Sequence, residues 1–208
     1  MWKRENGSVA DIHGAGTHLL AVVNRLLDIV KLERNEVPLD SVPFNPLAEL
    51  ATVIAMVQVV AQERRVAIEF DDRAPSAPED YEILGDPLAF RQIASNLLEN
   101  AIKFSHAGSV VRLALSRLDD SVVLEVDDSG VGIPADQLAL VFEPFHQVEI
   151  GDARRFGGAG LGLSIVRGLA ERMGGSVVVA SELGQGSRFR VRLPASKVSG
   201  RRKADKVA

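Results

Sequence analysis

The stretch Asn96-Leu97-Leu98-Glu99-Asn100-Ala101-Ile102-Lys103-Phe104-Ser105 constrains this chain more than any other. Asn96 and Asn100 are four residues apart and stack on one side of a helix, and Lys103 follows three later. Ile93, Leu97, Ala101 and Phe104 form an apolar row on another side. One helix thus buries one flank and offers two amides and an ammonium on the other. Amide oxygens suit a hard cation such as Mg²⁺, and an ammonium suits a phosphate. The same spacing fits an ordinary amphipathic helix with solvated polar residues. The glycine-rich segments downstream shift the balance toward a ligand site.

The 208 residues suffice for one good core plus an appendage. At 46% hydrophobic and a net charge of −4, the chain reads as soluble and globular, with no global basic field for nucleic acid. It has no cysteine, which excludes disulfides and thiolate metal sites. No run of about 18 apolar residues occurs, so no membrane span is expected. Residues 1–8 lack the apolar core of a signal peptide and read as a linker or a cloning scar. The expected location is cytoplasmic, whether or not the parent is membrane-anchored.

Residues 9–37 read as a long helix and its end. Val9, Gly16, Val23 and Val30 recur every seven residues, and Ile12, Leu19 and Leu26 recur with an offset of three. Leu20 and Leu27 widen this seam, which predicts packing against other helices, through homodimerisation or against the chain's own domain. Pro38 ends the helix. Residues 39–44 look extended. Asn45 caps a second helix, with Pro46 at its first position and Leu47, Leu50, Ile54, Val57 and Ala61 on one face, running to about Arg65. Val66 to Phe70 alternates as a strand, Asp71 to Asp80 reads as a surface loop, and Tyr81 to Leu84 as a short strand. Gly85-Asp86-Pro87 turns into the amide-bearing helix.

Strands near 109–118 and 121–127 form a hairpin across Asp119-Asp120. Val122, Leu124 and Val126 share one face of the second strand. Continuing that alternation turns Asp128 inward, where a carboxylate is costly unless it is paired or awaits a ligand. Gly130-Val131-Gly132-Ile133-Pro134 bends the backbone with no side chain at either glycine. Residues 135–141 read as a short helix, followed by Phe142-Glu143-Pro144-Phe145 and a polar segment from His146 to Gly157 that looks mobile. Gly158-Ala159-Gly160-Leu161-Gly162-Leu163 opens a helix to Met173, a place where backbone N–H groups can close around phosphates. Strands near 176–181 and 187–193 close the domain. The polar, basic tail 195–208 reads as disordered or as the root of a linker.

The motifs, in this order, resemble those of sensor histidine kinases. Asn96 to Phe104 resembles the N box. Asp128-Ser-Gly130-Val-Gly132-Ile133 resembles the first glycine box, Phe142 to Phe145 the F box, Gly158 to Val166 the second glycine box, and Gly184-Gln-Gly186-Ser187 the last one. The helix before Pro38 resembles the second helix of the family's dimerisation and phosphotransfer domain. The resemblance implies an α/β class of fold: a two-layer α/β sandwich, the Bergerat ATP-binding fold of the gyrase–chaperone–histidine kinase–MutL superfamily. Its mixed sheet carries helices on one face, spans 38–194 and is preceded by a long N-terminal helix.

The resemblance further implies ATP and Mg²⁺ as ligands. Asn100, helped by Asn96, would hold Mg²⁺ against the triphosphate, and Lys103 would reach phosphate. Ala101 and Phe104 would lie near the base, and Asp128 would accept a hydrogen bond from the adenine exocyclic amine. Gly130, Gly132 and Ile133 would let the base approach. Residues 146–160, with Gly158, would form a lid, and the backbone of Gly160, Leu161, Gly162 and Leu163 would face the phosphates. Ser187 stands where the family often has threonine and keeps the hydroxyl. Phe142 and Phe145 would anchor the lid, with contact to the phosphotransfer domain as a further expectation and plain core packing the competing reading.

ATP-hydrolysing members of the superfamily carry a glutamate at the position of Asn96, where it activates water. An amide cannot accept a proton at neutral pH, which favours transfer to a protein acceptor. Glu99 reads as a solvated helix residue. The family's acceptor pattern, His-Glu/Asp-x-x-Thr/Asn-Pro, does not occur; His13 and His18 read as structural, and His106 and His146 as flanking the pocket, with solvent exposure weighed above ligand contact for both. The expected activity is therefore that of the catalytic domain of a protein-histidine kinase, with the phosphoacceptor histidine on a helix outside this chain. A response regulator or phosphotransfer domain is the further partner. The alternative is a nucleotide-sensing scaffold that binds a regulator without phosphotransfer.

Overall fold

The computed structural model describes residues 16, 23, 38–72, 82–148 and 159–196. The backbone is helical at Gly16 and Val23. The remainder of the 9–36 seam, the segment 1–8, Gly158 and the tail beyond Ser196 lie outside the described residues.

The element order is β1 (Val42–Phe44), α1 (Pro46–Arg64), β2 (Ala67–Asp72), β3 (Ile83–Gly85), α2 (Pro87–Phe104), β4 (Val110–Leu118), β5 (Ser121–Asp128), α3 (Gly162–Arg172), β6 (Ser176–Glu182) and β7 (Gly186–Pro194). Five strands form one mixed sheet in the order β2-β4-β5-β7-β6. β2 runs parallel to β4, and the other neighbours are antiparallel. β1 and β3 pair separately.

The strand alternation explains why the helices cover only one face. Leu113, Val126 and Phe189 stand opposite one another on that face, as do Leu115, Leu124 and Val191, and all are buried. The other face carries the intervening charges. Arg188 grips Asp127 with two of its guanidinium nitrogens, Nε and Nη2, at 2.6 and 2.8 Å, and Arg190 pairs with Glu125. Such solvent-facing pairs contribute little, about 0–1 kcal/mol each. The main stabilisation comes from the apolar face.

α2 is the spine of the helical layer. Phe90, Ile93, Ala94, Leu97, Leu98, Ala101 and Ile102 are all buried, an i, i+3, i+4, i+7 pattern against the sheet. Phe104 is the exception in the expected apolar row; it is only half-buried. α1 starts at the expected cap: Asn45 accepts from the Leu47 N–H at 2.9 Å, with Pro46 following. Its buried stripe is Leu50, Val53, Val57 and Ala61, so Val53 takes the inward place expected for Ile54, which is half-buried with Leu47. The contacts of α1 with both α2 and β2 set that rotation. By length and composition α1 could cross a membrane, but this stripe is packed into the core.

Three local expectations change. Residues 135–141 form a 3₁₀ turn at Ala135–Gln137 and irregular turns after it, because Pro134 precedes the turn and no side chain caps it. β2 runs through Asp71 and Asp72, since both pair with β4, so the loop starts later than the charges suggest. The chain from Ala195 is not free at its start: Ala195 bridges Ile83, and the Ser196 N–H donates to the Glu82 carbonyl at 2.7 Å.

Asp86 ties the entry strand to the spine. One carboxylate oxygen accepts from the Leu88 and Ala89 N–H groups at 2.7 and 3.1 Å, and the other from the Asp40 N–H at 3.2 Å. Asp86→Ala should lower stability by about 1–2 kcal/mol, read from the urea midpoint at unchanged m-value.

Candidate functional site

The pocket is built where four chain segments meet beside the C-terminal half of α2. From α2 come Asn96, Glu99, Asn100, Lys103 and Phe104. From the end of β5 and the turn after it come Asp128, Val131, Gly132 and Ile133. The start of α3 supplies Gly160, Leu161, Gly162 and Leu163, and β7 supplies Ser187 and Phe189. His146, Gln147, Val148 and Ala159, at the two described ends of the 146–160 segment, complete the wall together with Val141.

The helix delivers its polar side as the i, i+4 spacing requires. The Asn96 side-chain N–H₂ donates to the Gln92 carbonyl at 2.8 Å. That fixes the amide and leaves its oxygen toward α3, where a Cβ on Gly162 would stand 3.0 Å from it and 3.6 Å from the Asn100 nitrogen. The Lys103 ammonium lies 4.8 Å from the centre of the Phe104 ring. Phe104 thus lines the pocket, which explains why it leaves the apolar row.

Asp128 closes the other end. Its Oδ1 accepts from the Gly130 N–H at 2.9 Å, and the Ser187 N–H, opposite it in the ladder, also donates to the carboxylate. Burial nonetheless pushes its carboxyl up to about 6, and the neighbouring Asp127 charge adds to the rise; the two N–H groups oppose it. Among the described residues, the hydrogen bonds to this carboxylate come from backbone N–H dipoles.

The turn after Asp128 can lie flat on its neighbours only with glycine. Gly132 has φ +70°, and a Cβ there would collide with the Glu182 carbonyl. The turn is held by the Ile133 N–H, which donates to Ser181 Oγ at 2.8 Å, and by the Gly184 N–H, which donates to the Val131 carbonyl at 2.8 Å. Across the pocket, Gly160 has φ +69° and packs against the backbone of Phe145 and His146, and the Phe145 N–H donates to its carbonyl at 3.0 Å.

Twelve of the residues expected at the site therefore line one cavity: Asn96, Asn100, Lys103, Phe104, Asp128, Gly132, Ile133, Gly160, Leu161, Gly162, Leu163 and Ser187. Ala101 is buried beneath it, and Gly130 sits behind it against the Phe104 carbonyl. Phe142 and Phe145 part company. Phe142 is core, edge-on to Phe189 at 6.4 Å, whereas Phe145 is 58% exposed at φ 64°. His146 belongs to the wall, with Nε2 2.8 Å from Gln137 Oε1, while His106 is exposed outside it. Glu99, expected as a solvated residue, is exposed at the rim and accepts from Ser95 Oγ at 2.9 Å. Phe189 was legible by parity, two residues after Ser187 on an alternating strand; Val141 and Val148 sit in irregular backbone and carry no periodic signal.

A family model described as histidine kinase-, DNA gyrase B-, and HSP90-like ATPase matches residues 85–197. The chain belongs to that family. Within it, this is the ATP-binding catalytic domain of sensor histidine kinases. An uncharacterized sensor-like histidine kinase of Rhizobium meliloti is 39% identical over 92% of this chain and 36% of its own length. The circadian input-output histidine kinase CikA of Synechococcus elongatus is 34% identical over 92% of this chain and 25% of its own. The autoinducer 2 sensor kinase/phosphatase LuxQ of Vibrio cholerae is 38% identical over 89% and 22%. The chain thus spans about a third or less of the curated relatives it matches. Full-length ShkA, solved in complex with AMPPNP, is similar with a TM-score of 0.79 at 34% identity, over 93% of this chain and 39% of that one.

In this kinase domain, Gly132→Ala should displace the turn from the Glu182 carbonyl. Stability is expected to fall by more than about 1 kcal/mol, with loss of nucleotide-analogue binding in isothermal titration at temperatures where the variant is still folded by circular dichroism.

Proposed function

We propose that this domain binds Mg-ATP in the pocket and transfers the γ-phosphoryl group to a histidine on a dimerisation helix outside this chain. The observation that supports it best is the meeting, around one cavity, of a dipole-held carboxylate, the amide face of α2 and the glycine-rich start of α3. Asp128 accepts from the adenine exocyclic amine. Phe104 and Ile133 offer the base apolar surface, and Lys103 meets phosphate. The N-terminal N–H groups of α3 face the phosphate chain, since the first N–H groups of a helix lack intrahelical partners.

The residues present fit a magnesium ion held jointly with phosphate. Asn96 directs an amide oxygen toward α3, and Mg²⁺ commonly takes one or two protein oxygens with substrate phosphates completing its shell. Asn100 and Asn96 would hold it. Held there, the ion would supply positive charge against the phosphates during transfer, in which the P–O bond to ADP breaks and the P–N bond to the histidine forms. No carboxylate takes the place of the Asn96 amide, so no side chain there accepts a proton from water. In the whole protein, the 9–36 seam would form a homodimer, a response regulator or phosphotransfer domain would receive the phosphoryl group, and the domain would work in the cytoplasm, where ATP is.

Two measurements test this. Mixed with a separate first-helix segment bearing histidine, the chain should place acid-labile phosphate on that segment; tight ATP binding with no transfer would favour a scaffold instead. Asp128→Asn should weaken a ribose-labelled ATP analogue by about 10- to 100-fold, the size of a hydrogen bond to a charged group. The pH dependence has a definite sign. The free carboxyl titrates near 6 and the ligand needs it ionised, so affinity should fall as pH drops through about 6. For folding the sign is opposite. The raised value means that burying the ionised form costs stability, so this group's contribution worsens between its unfolded value and about 6 as pH rises. A pH-independent affinity between 5 and 8 would remove Asp128 from the site.

A further inference from the structure

The Asp128 wall carries a hydroxyl pair whose proton placement is fixed by the fold. Ser181 on β6 has one proton, and it donates to the Gly186 carbonyl at 2.6 Å. Its oxygen accepts from the Ile133 N–H at 2.8 Å. Ser187 Oγ lies 3.0 Å from Ser181 Oγ. With the Ser181 proton already committed, the proton between the two hydroxyls must come from Ser187. Ser187 is buried and is one of the residues that line the pocket. With its proton on Ser181, the Ser187 oxygen has only lone pairs left to offer. Asp128, opposite Ser187 in the ladder, likewise presents oxygen that accepts.

We propose that Ser181 is a positioning residue that makes this wall acceptor-only, and so selects a base edge bearing an exocyclic amine over one bearing a 6-oxo group. The inference rests on the Mg-ATP reading of the pocket and adds to it the device that sets base preference. An adenine amine supplies N–H protons to such a wall. A 6-oxo purine turns a carbonyl oxygen toward it and leaves buried acceptors facing an acceptor. A mismatch of this kind is more selective than a difference in shape, because the buried polar groups stay unpaired.

Loss of the Ser181 hydroxyl has two separable effects. The Ile133 N–H loses its partner, which loosens the turn for any nucleotide. The Ser187 proton is also released, so that hydroxyl can rotate and donate into the pocket, which helps only the 6-oxo base. The ratio of the two affinities isolates the second effect.

The test is titration of the full chain with ribose-labelled ATP and ITP at pH 7.5, with Mg²⁺. The parent should prefer ATP. In Ser181→Ala the ITP-to-ATP ratio of Kd values should narrow by about 5- to 10-fold, one hydrogen bond's worth, while Ser181→Thr, which keeps the hydroxyl, should stay within about twofold of the parent. Equal weakening of both nucleotides in Ser181→Ala, with the ratio unchanged, overturns the proposal and leaves Ser181 a brace for the turn. Should Ser181→Ala not fold, Ser187→Ala decides by sign. Removing an acceptor costs ATP alone and narrows the ratio, whereas a widened ratio means that Ser187 was donating into the pocket and the proposal fails. A parent that binds neither nucleotide overturns the nucleotide reading itself, and this proposal with it.

Discussion

The structure depends on holding one carboxylate, Asp128, in a place that opposes its charge. Two backbone N–H groups do this, from Gly130 in its own turn and from Ser187 across the ladder. The first requires the chain to bend sharply after β5. The second requires the β5–β7 register that sets Asp128 against Ser187, and the same register pairs Val126 with Phe189 and Leu124 with Val191. The core and the site are therefore coupled. A slip of one residue would turn the apolar row to solvent and take the Ser187 N–H from the carboxylate.

That coupling accounts for the division of labour in α2. Its apolar flank is wholly consumed by the core, so its polar flank can be rigid without being stabilising. Asn96 is pinned by its own helix, through Gln92, and not by the sheet. A side chain aimed by its neighbour one turn away keeps its direction when the opposite wall shifts. The carboxylate end is built the other way, from contacts among β5, β6 and β7, and it inherits the stiffness of the sheet. The pocket thus has one wall positioned by local helix geometry and another by long-range strand pairing.

The legible parts of the chain were those with a period. The inward turn of Asp128 came from counting along Val122, Leu124 and Val126, and the cap at Asn45 from the Pro after it, whereas the cap at Asp86 emerged only with the structure. What escaped was decided by contact between elements. Val53 replaces Ile54 in the core because α1 meets α2 and β2 together, a rotation its nearly uniform apolar sequence cannot specify. Ser181 carried no signal either: on an edge strand it reads as one more alternating small residue, and its role exists only because the turn at Gly132 and the start of β7 reach it. Phe142 and Phe145 look alike in sequence, yet one packs on Phe189 and the other faces solvent.

The last of these differences bears on how the two ends of the pocket communicate. Phe142 is joined to the sheet through Phe189, and Phe189 lines the pocket two residues from Ser187 on the same face of β7. Phe145 is joined instead to the glycine-rich segment, through its N–H to the Gly160 carbonyl, and Glu143 between them pairs with Arg167 of α3 at 3.0 Å. The four residues Phe142–Phe145 thus link the sheet wall of the pocket to the glycine-rich start of α3. The sheet end is fixed by aromatic packing in a core that tolerates little displacement. Among the described residues, the α3 end is held by one backbone hydrogen bond and one half-exposed ion pair, which cost far less to break. A displacement of the start of α3 would therefore be absorbed at Phe145 and Glu143 before it reached Phe142.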